Sequence, residues 1–294
     1  MIEVIYRIGE GPQDADGRPQ TAAEARALLE QGNDALVALL AEPSSASGAE
    51  SGAEGPTRRI IEVGAGGFGL SSPADGARRH VPFAAVLGCA DARVPIELIL
   101  GRAFNDLFVL RVAGNVLAQE IIGSIDYAIG NLPSMRLAVV LGHTKCGAVT
   151  AAAQAYLDPA QYLGLSAEHQ LRSIVDHLFP AVRLGHAALL EVAGADAAGQ
   201  PGFAPALVET SAVLNAAIQA ASLRSELASY DVEVVQPVYA VYDLTSHRIG
   251  TPVVIDPAAP AARLADPPAT AEGFASLARE LADSPAVRGL LAAA

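Results

Sequence analysis

The chain has 294 residues, 51% of them hydrophobic, enough to bury a sizeable core in one large or two small domains. Its 19 Lys and Arg face 32 Asp and Glu, and the net charge of -13 repels phosphate backbones and anionic membranes alike, arguing against nucleic acid or a membrane surface as partner. The only two cysteines, at 89 and 146, cannot make a disulfide framework, no export-signal pattern opens the sequence, and no apolar run reaches the ~18 residues of a bilayer crossing, so a cytoplasmic protein is expected.

Thr21-Ala22-Ala23-Glu24 has capping-box spacing and opens an Ala/Leu-rich stretch to about Leu40, which predicts an N-terminal helical arm over 1–42. Residues 43–79, dominated by Gly, Ser, Ala and Pro, read as a long loop with one brief apolar patch at Ile60 to Val63. From 80 to 256 the pattern is α/β. Val81 to Leu87, Leu107 to Val112 and Leu137 to Leu141 are short, nearly continuous apolar runs, as suits strands covered on both faces of a mostly parallel central sheet flanked by helices. Between the second and third, Leu117 to Leu132 places Leu117, Ile121, Ile125 and Ala128 on one helical face. Two further helices near 166 to 193 and 205 to 229 lead to a fourth strand within Val232 to Tyr242, whose Pro237 favours an edge or a bulge, and Arg248 to Ile255 can pair at the sheet edge. The last segment, 257–294, is a Pro/Ala linker and an amphipathic helix from about Thr270, an arm docking on the body or on a second subunit.

Cys89 follows the first strand and His143-Thr144-Lys145-Cys146 follows the third, each introduced by a glycine. Parallel strands present their carboxyl ends to a common crevice, so these segments can converge despite their separation. Cys146 falls in the first turn of a helix, where free N–H groups favour a thiolate. Cys89, Asp91, His143 and Cys146 together make a sensible tetrahedral zinc set. Taken singly, each cysteine is explained as well by ordinary burial. The whole cysteine supply at two glycine-bounded strand ends, beside a histidine and an Asp/Arg pair, favours the metal.

Cys89-x-Asp91-x-Arg93, then Asp106-Leu107-Phe108-Val109-x-Arg111-x-Ala113-Gly114-Asn115, Gly123-Ser124-Ile125-x-Tyr127-Ala128 and Gly142-His143-x-x-Cys146-Gly147-Ala148 are similar, in order and spacing, to the β-class carbonic anhydrases. The resemblance is strong over about 80 to 150 and looser elsewhere. It implies a Zn2+ enzyme interconverting carbon dioxide and bicarbonate by a zinc-bound hydroxide, built as a homodimer or a multiple of dimers. It also implies a substrate pocket lined by Phe108, Ala113 and Tyr127, although core packing explains Phe108 and Tyr127 equally well.

Two thiolates leave zinc formally neutral, so Asp91 gains importance as either a fourth ligand or an orienter of bound hydroxide, with Arg93 deciding which. The first state is closed and the second catalytic, which makes Asp91 and Arg93 the expected catalytic pair. Departures from the family pattern are also visible. His80 stands where a glutamine is frequent and is expected to be a surface or modest anion-binding residue, while Arg102-Ala103 replaces a common Gln-Gly. The remaining histidines, 169, 177, 186 and 247, are expected to be solvated. Two other readings keep the metal: a hydrolase of carbonyl sulfide or carbon disulfide, and a catalytically silent, zinc-stabilised interaction module.

Overall fold

The computed structural model describes residues 2–9, 18–41, 57–64, 80–165, 169–228, 235–251 and 263–293. The expected loop at 43–56 and 65–79, residues 232–234 of the fourth strand candidate, residues 252–255 of the edge-strand candidate and residues 257–262 of the linker lie outside the described residues. Described elements, in order, are β1 (Ile2–Gly9), α1 (Ala22–Ala41), β2 (Thr57–Gly64), β3 (Ala84–Gly88), α2 (Ile96–Ile99), β4 (Leu107–Arg111), α3 (Gln119–Asn131), β5 (Leu137–His143), α4 (Gly147–Leu157), α5 (Pro159–Leu165), α6 (His169–Ala193), α7 (Phe203–Leu227), β6 (Gln236–Tyr242), α8 (Ala271–Asp283) and α9 (Pro285–Ala292).

The central sheet has the order β4-β3-β5-β6, and every pairing in it is parallel. Each residue of β3 and β5 is buried, because alternate side chains enter two separate cores. Ala85, Leu87, Ala138, Val140 and Val241 pack against a thick layer that includes α3, α4, α6, α7 and α8. Ala84, Val86, Leu137, Val139 and Leu141 pack against Leu29 of α1 and against Ile96 and Ile99 of α2. The unbroken apolar runs of the sequence are the one-dimensional trace of this two-sided burial. Pro237 sits on β6, an edge strand as expected, where a missing N–H is tolerated. Outside β6, Ile249 and Ala265 each make a single antiparallel bridge, to Tyr242 and Tyr239.

The capping box forms as read: Thr21 Oγ1 accepts from the Glu24 N–H at 3.2 Å, and Glu24 Oε2 accepts from the Thr21 N–H at 3.3 Å. Buried Asn33 then ties α1 to the turn after β6, donating to the His247 carbonyl and accepting from the Ile249 N–H, both at 2.9 Å. By length and composition α7 could cross a membrane, but most of its apolar window is buried inside the chain. At the C-terminus, α8 puts Ala278, Leu281 and Ala282 into the core against α6 and α7, so the arm docks on the body of its own chain.

Two features differ from expectation. The segments read as helical arm and loop contain β1 and β2, which form a separate parallel pair from Ile2 opposite Thr57 to Gly9 opposite Gly64. Neither strand is legible alone, because each is completed by a partner more than 50 residues away. Two of the histidines are not free in solvent. His186 packs edge-on against Phe203 and Tyr156, with burial lowering its pKa, and His247 shares a 2.9 Å hydrogen bond with the Tyr242 hydroxyl.

Candidate metal centre

Strands β3 and β5 are neighbours in register, Gly88 lying opposite Leu141, so the residues that follow them emerge side by side at the carboxyl edge. Gly142 lets α7 cross close behind it: a Cβ there would lie 3.3 Å from the Ala212 carbonyl oxygen, tighter than an ordinary contact. The Sγ of Cys89, a ring nitrogen of His143 and the Sγ of Cys146 all fall within 4.8 Å of one another, and all three residues are buried.

The histidine is pre-set as a ligand. Its Nδ1 lies 2.9 Å from the Thr144 carbonyl, an acceptor only, so Nδ1 carries the proton. The lone pair on Nε2 is left buried with no hydrogen-bond partner. Fully buried polar atoms rarely stay unsatisfied, and this one faces two sulfurs, a donor set suited to Zn2+.

The thiols differ from the simple helix-terminus expectation. Cys146 is the N-cap of α4, and the Ala148 and Val149 N–H groups do favour its thiolate. The hydrogen bond from Cys146 pulls the Cys89 thiol down, against the opposing effect of burial, with help from His143 and the Asp91 and Gly114 N–H groups. Cys146 is pushed up, because two adjacent sulfurs cannot both ionise without a cation between them. A divalent cation removes that conflict, releasing the remaining proton.

Asp91, the fourth member of the expected zinc set, lies outside the group of three convergent ligand atoms because Arg93 holds it. Its Oδ1 accepts from Arg93 Nε at 3.0 Å and from the Arg93 backbone N–H at 2.9 Å, while Oδ2 accepts from Nη2 at 2.7 Å. This fork holds the Asp91 carboxyl well below the usual carboxylate range. Oδ2 still lies 3.9 Å from His143 Nε2, so a modest rotation separates this arrangement from one that joins the cluster. Among the pocket residues, the His80 and Phe108 rings lie 5.8 Å apart, Ala113 stands in the 3-10 turn Ala113–Asn115, and Tyr127 is 55% exposed on α3.

Several residues that brace this cluster were not singled out from the sequence. Arg111 donates to the Cys89 carbonyl at 3.0 Å and to the Asp91 carbonyl at 2.6 Å, clamping the loop that carries both. On α7, Gln219 donates to Asn215, which donates to the Gly114 carbonyl at 2.8 Å, and the Gly114 N–H reaches Cys89 Sγ at 3.4 Å. Their legible signal is two amides four residues apart in a helix otherwise rich in Ala, Leu and Val. Asp243 accepts from Thr144 Oγ1 at 3.1 Å, and Glu209 Oε1 accepts from the Lys145 N–H at 3.0 Å where Lys145 adopts φ 54.

Glu209 offers a first test. Burial pushes its carboxyl above the usual range, against the pull of the Lys145 N–H, and Oε2 has no partner. Glu209→Ala is expected to lose about 1–3 kcal/mol in urea unfolding by orphaning the Lys145 N–H, and Glu209→Gln, which keeps the acceptor, considerably less. A raised folded pKa means the carboxyl's contribution is complete below the ordinary carboxylate pKa and fades as pH rises through the folded value. The Gln variant should therefore gain on the native protein between about pH 5 and about pH 8. Equal losses in both variants at both pH values would discard the acceptor role.

A family model described as "Carbonic anhydrase" matches residues 84–245, more than half of the chain. "Carbonic anhydrase 2" of Mycobacterium tuberculosis is 42% identical over 104 residues, 35% of this chain and 47% of that protein. A carbonic anhydrase of Mycolicibacterium smegmatis is 39% identical over 107 residues, 36% and 49% respectively. The chain thus spans about half the length of the curated relatives it matches. Among solved structures, the β-carbonic anhydrase CafA of Aspergillus fumigatus superimposes with a TM-score of 0.42 at 22% identity, covering 67% of this chain and 81% of that one. A tetrameric β-carbonic anhydrase of Sordaria macrospora gives 0.40 at 26% identity, covering 57% and 79%. The matched span runs from β3 to the turn after β6 and so takes in both thiols, His143 and the Asp91/Arg93 pair: this chain belongs to the β-class carbonic anhydrase family.

Proposed function

We propose that the chain catalyses the reversible hydration of carbon dioxide to bicarbonate at a zinc ion held by Cys89, His143 and Cys146. The observation that supports this most strongly is the pairing of Asp91 with Arg93, which leaves three convergent protein donors and one coordination place for a water. A closed structural site needs four donors and has no use for the arginine. Zinc, when bound, supplies a Lewis-acidic centre that lets water ionise near neutral pH.

The chain's own residues do the rest. Arg93 keeps Asp91 ionised and withdrawn, so the carboxylate serves as an acceptor-only group beside the open place. There it would accept a hydrogen bond from the attacking oxygen and fix that oxygen's lone pair toward the substrate carbon. Arg111 prevents the Cys89–Asp91 loop from following any movement of the carboxylate. Phe108 and Ala113 would offer apolar wall to an apolar substrate, and exposed His80, its ring 5.8 Å from that of Phe108, would be a modest anion-binding group.

A homodimer, or a multiple of dimers, belongs to the same proposal. Tyr127 is 55% exposed, and edge strand β4 leaves Phe108 and Val109 half-buried, so a second copy is what would complete that wall. Stopped-flow hydration with protein carrying one zinc per chain should give a rate that climbs from about pH 7 to about pH 9, with scattering mass at least twice the 30.0 kDa of one chain. No rate at any pH would leave the silent interaction module. Turnover of carbonyl sulfide or carbon disulfide without carbon dioxide hydration would reassign the substrate.

A further inference from the structure

Away from the metal centre, β2 and the turn after α2 border an open pocket of about 240 Å3 whose lining includes Arg59, Glu62, Gly101, Arg102 and Asp106. This is several times the ~30 Å3 one water occupies in the liquid. Arg102 reached it through one of the departures from the family pattern, the Arg102-Ala103 pair. Arg59 reached it through β2, which the sequence reading took for loop.

The lining brings two guanidiniums, Arg59 and Arg102, together with two carboxylates, Glu62 and Asp106, but not all of them are paired with one another. Among the described residues the Arg59 guanidinium makes no hydrogen bond and no ion pair, and its Nη1 is buried without a partner. Arg102 spends only Nε, on the Leu100 carbonyl at 3.2 Å. Glu62 pairs with Arg7 at 3.0 Å; Asp106 accepts from the Ala103 N–H at 3.0 Å, lies 3.9 Å from Arg18 and also attracts Arg102; and Glu97 acts on Tyr6 beside Arg59, so Arg59 is the guanidinium left without an ion pair among the described residues. The two guanidiniums are close enough that Arg102 lowers the pKa of Arg59, after burial the largest effect on it. Leaving the half-buried Arg59 with a buried, unpartnered Nη1 beside a second guanidinium is costly in a protein that carries a net charge of -13 and has acids to spare.

The backbone makes room for this arrangement. Gly101 has φ +58, and a Cβ there would sit 1.9 Å from Arg59 Nη2, so the guanidinium lies flat over a glycine. Tyr6 of β1 stacks at 5.1 Å on Phe104, next in sequence to the lining turn, and feels the Arg59 charge. These are features of a shaped anion receptor rather than of two surface arginines in water.

We propose that Arg59 and Arg102 form an oxyanion site for a phosphoryl group, distinct from the metal centre and independent of the hydration reaction. A phosphate carries about -1.5 to -2 charges and offers several oxygen edges, so it can engage two guanidinium forks at once. A carboxylate or bicarbonate carries only one negative charge and so balances one guanidinium where a phosphate balances nearly two. The cavity admits either inorganic phosphate or the phosphate end of a small ester, and the two sources are distinguished by titrating each.

Calorimetric titration of the zinc-loaded protein with inorganic phosphate, then with glycerol 3-phosphate, at constant ionic strength in chloride, tests the site. One saturable phosphate per chain is expected, with Arg102→Gln and Arg59→Gln each weakening it at least tenfold, while zinc content and hydration rate stay unchanged. Tighter binding of the ester assigns a phosphometabolite, and equal or weaker binding assigns free phosphate. Because anions also approach metals, His143→Ala provides the control: phosphate affinity should survive the loss of zinc. Should Arg59→Gln fail to fold, Arg102→Gln decides alone. Absence of saturable binding, affinity unchanged in Arg102→Gln, affinity lost with zinc, or acetate binding as tightly as phosphate would each overturn the proposal.

Discussion

Replacing His143 with alanine is expected to leave the protein without stoichiometric zinc after dialysis and to reduce carbon dioxide hydration to the uncatalysed background. The argument starts at the end of β5, where the imidazole is fully buried with Nδ1 committed to the Thr144 carbonyl and Nε2 committed to nothing. Removing it deletes the one neutral nitrogen donor and leaves two sulfurs, which then share a single negative charge as they do in the isolated pair. Outer partners of metal ligands are typically worth about 10–100-fold in affinity, so loss of a ligand itself should exceed ~100-fold. Structure and metal loss can be separated. The alanine variant is expected to unfold about 1–3 kcal/mol more easily, yet cooperatively, and to gain no thermal stability from added zinc, whereas the native chain does. Metal analysis after dialysis, paired with thermal scans, checks this. One zinc per chain retained at native affinity would remove His143 from the ligand set.

The second large effect separates binding from turnover. Arg93→Ala should keep one zinc per chain while hydration falls by about 10²–10³-fold, the scale seen when one preorganised charge-stabilising contact is lost. Arg93 makes its described contacts to Asp91, not to Cys89, His143 or Cys146, so its loss does not disturb those donors directly. It does release Asp91, whose Oδ2 starts 3.9 Å from His143 Nε2 and can turn into the cluster to close it. Arg93→Lys should recover only part of the rate, because an ammonium cannot hold both carboxylate oxygens in a fork. The acid side of the pH profile carries a sign. Arg93 depresses the folded pKa of Asp91, so that contribution to stability exists above the ordinary carboxylate pKa and vanishes only as pH falls through the lowered value. Without the arginine it is gone at higher pH, and the variant should lose Asp91's share of stability earlier in an acid titration. Native hydration rates in Arg93→Ala would end the orienting role for Asp91.

Much of the candidate site was legible because its signals are local. Val81 to Leu87 and Leu137 to Leu141 announce strands covered on both faces, and β3 and β5 form there. A cysteine or histidine placed immediately after such a strand can only emerge at the carboxyl edge of the sheet, and both motifs do. The Thr21 capping box and the edge position of Pro237 are equally short-range inferences, resting on one turn of backbone or one missing N–H.

What stayed hidden depended on partners distant in sequence. β1 and β2 are strands only because each supplies the other's hydrogen bonds across more than 50 residues. Arg111 and Asn215 brace the Cys89 loop from 22 and 126 positions away in sequence, too far for any local pattern to register. The sequence by itself determined the sheet, the donor set and the Asp91/Arg93 pairing, since periodicity and i, i+2 spacing are properties of a single stretch of chain. Only the tertiary structure decided that the two sulfurs are close enough to compete for one charge, that Asp91 is held by Arg93 at 3.9 Å from His143 Nε2, and that Arg59 meets Arg102. Those outcomes follow from burial and through-space electrostatics, which act between groups that folding, not chain order, makes neighbours.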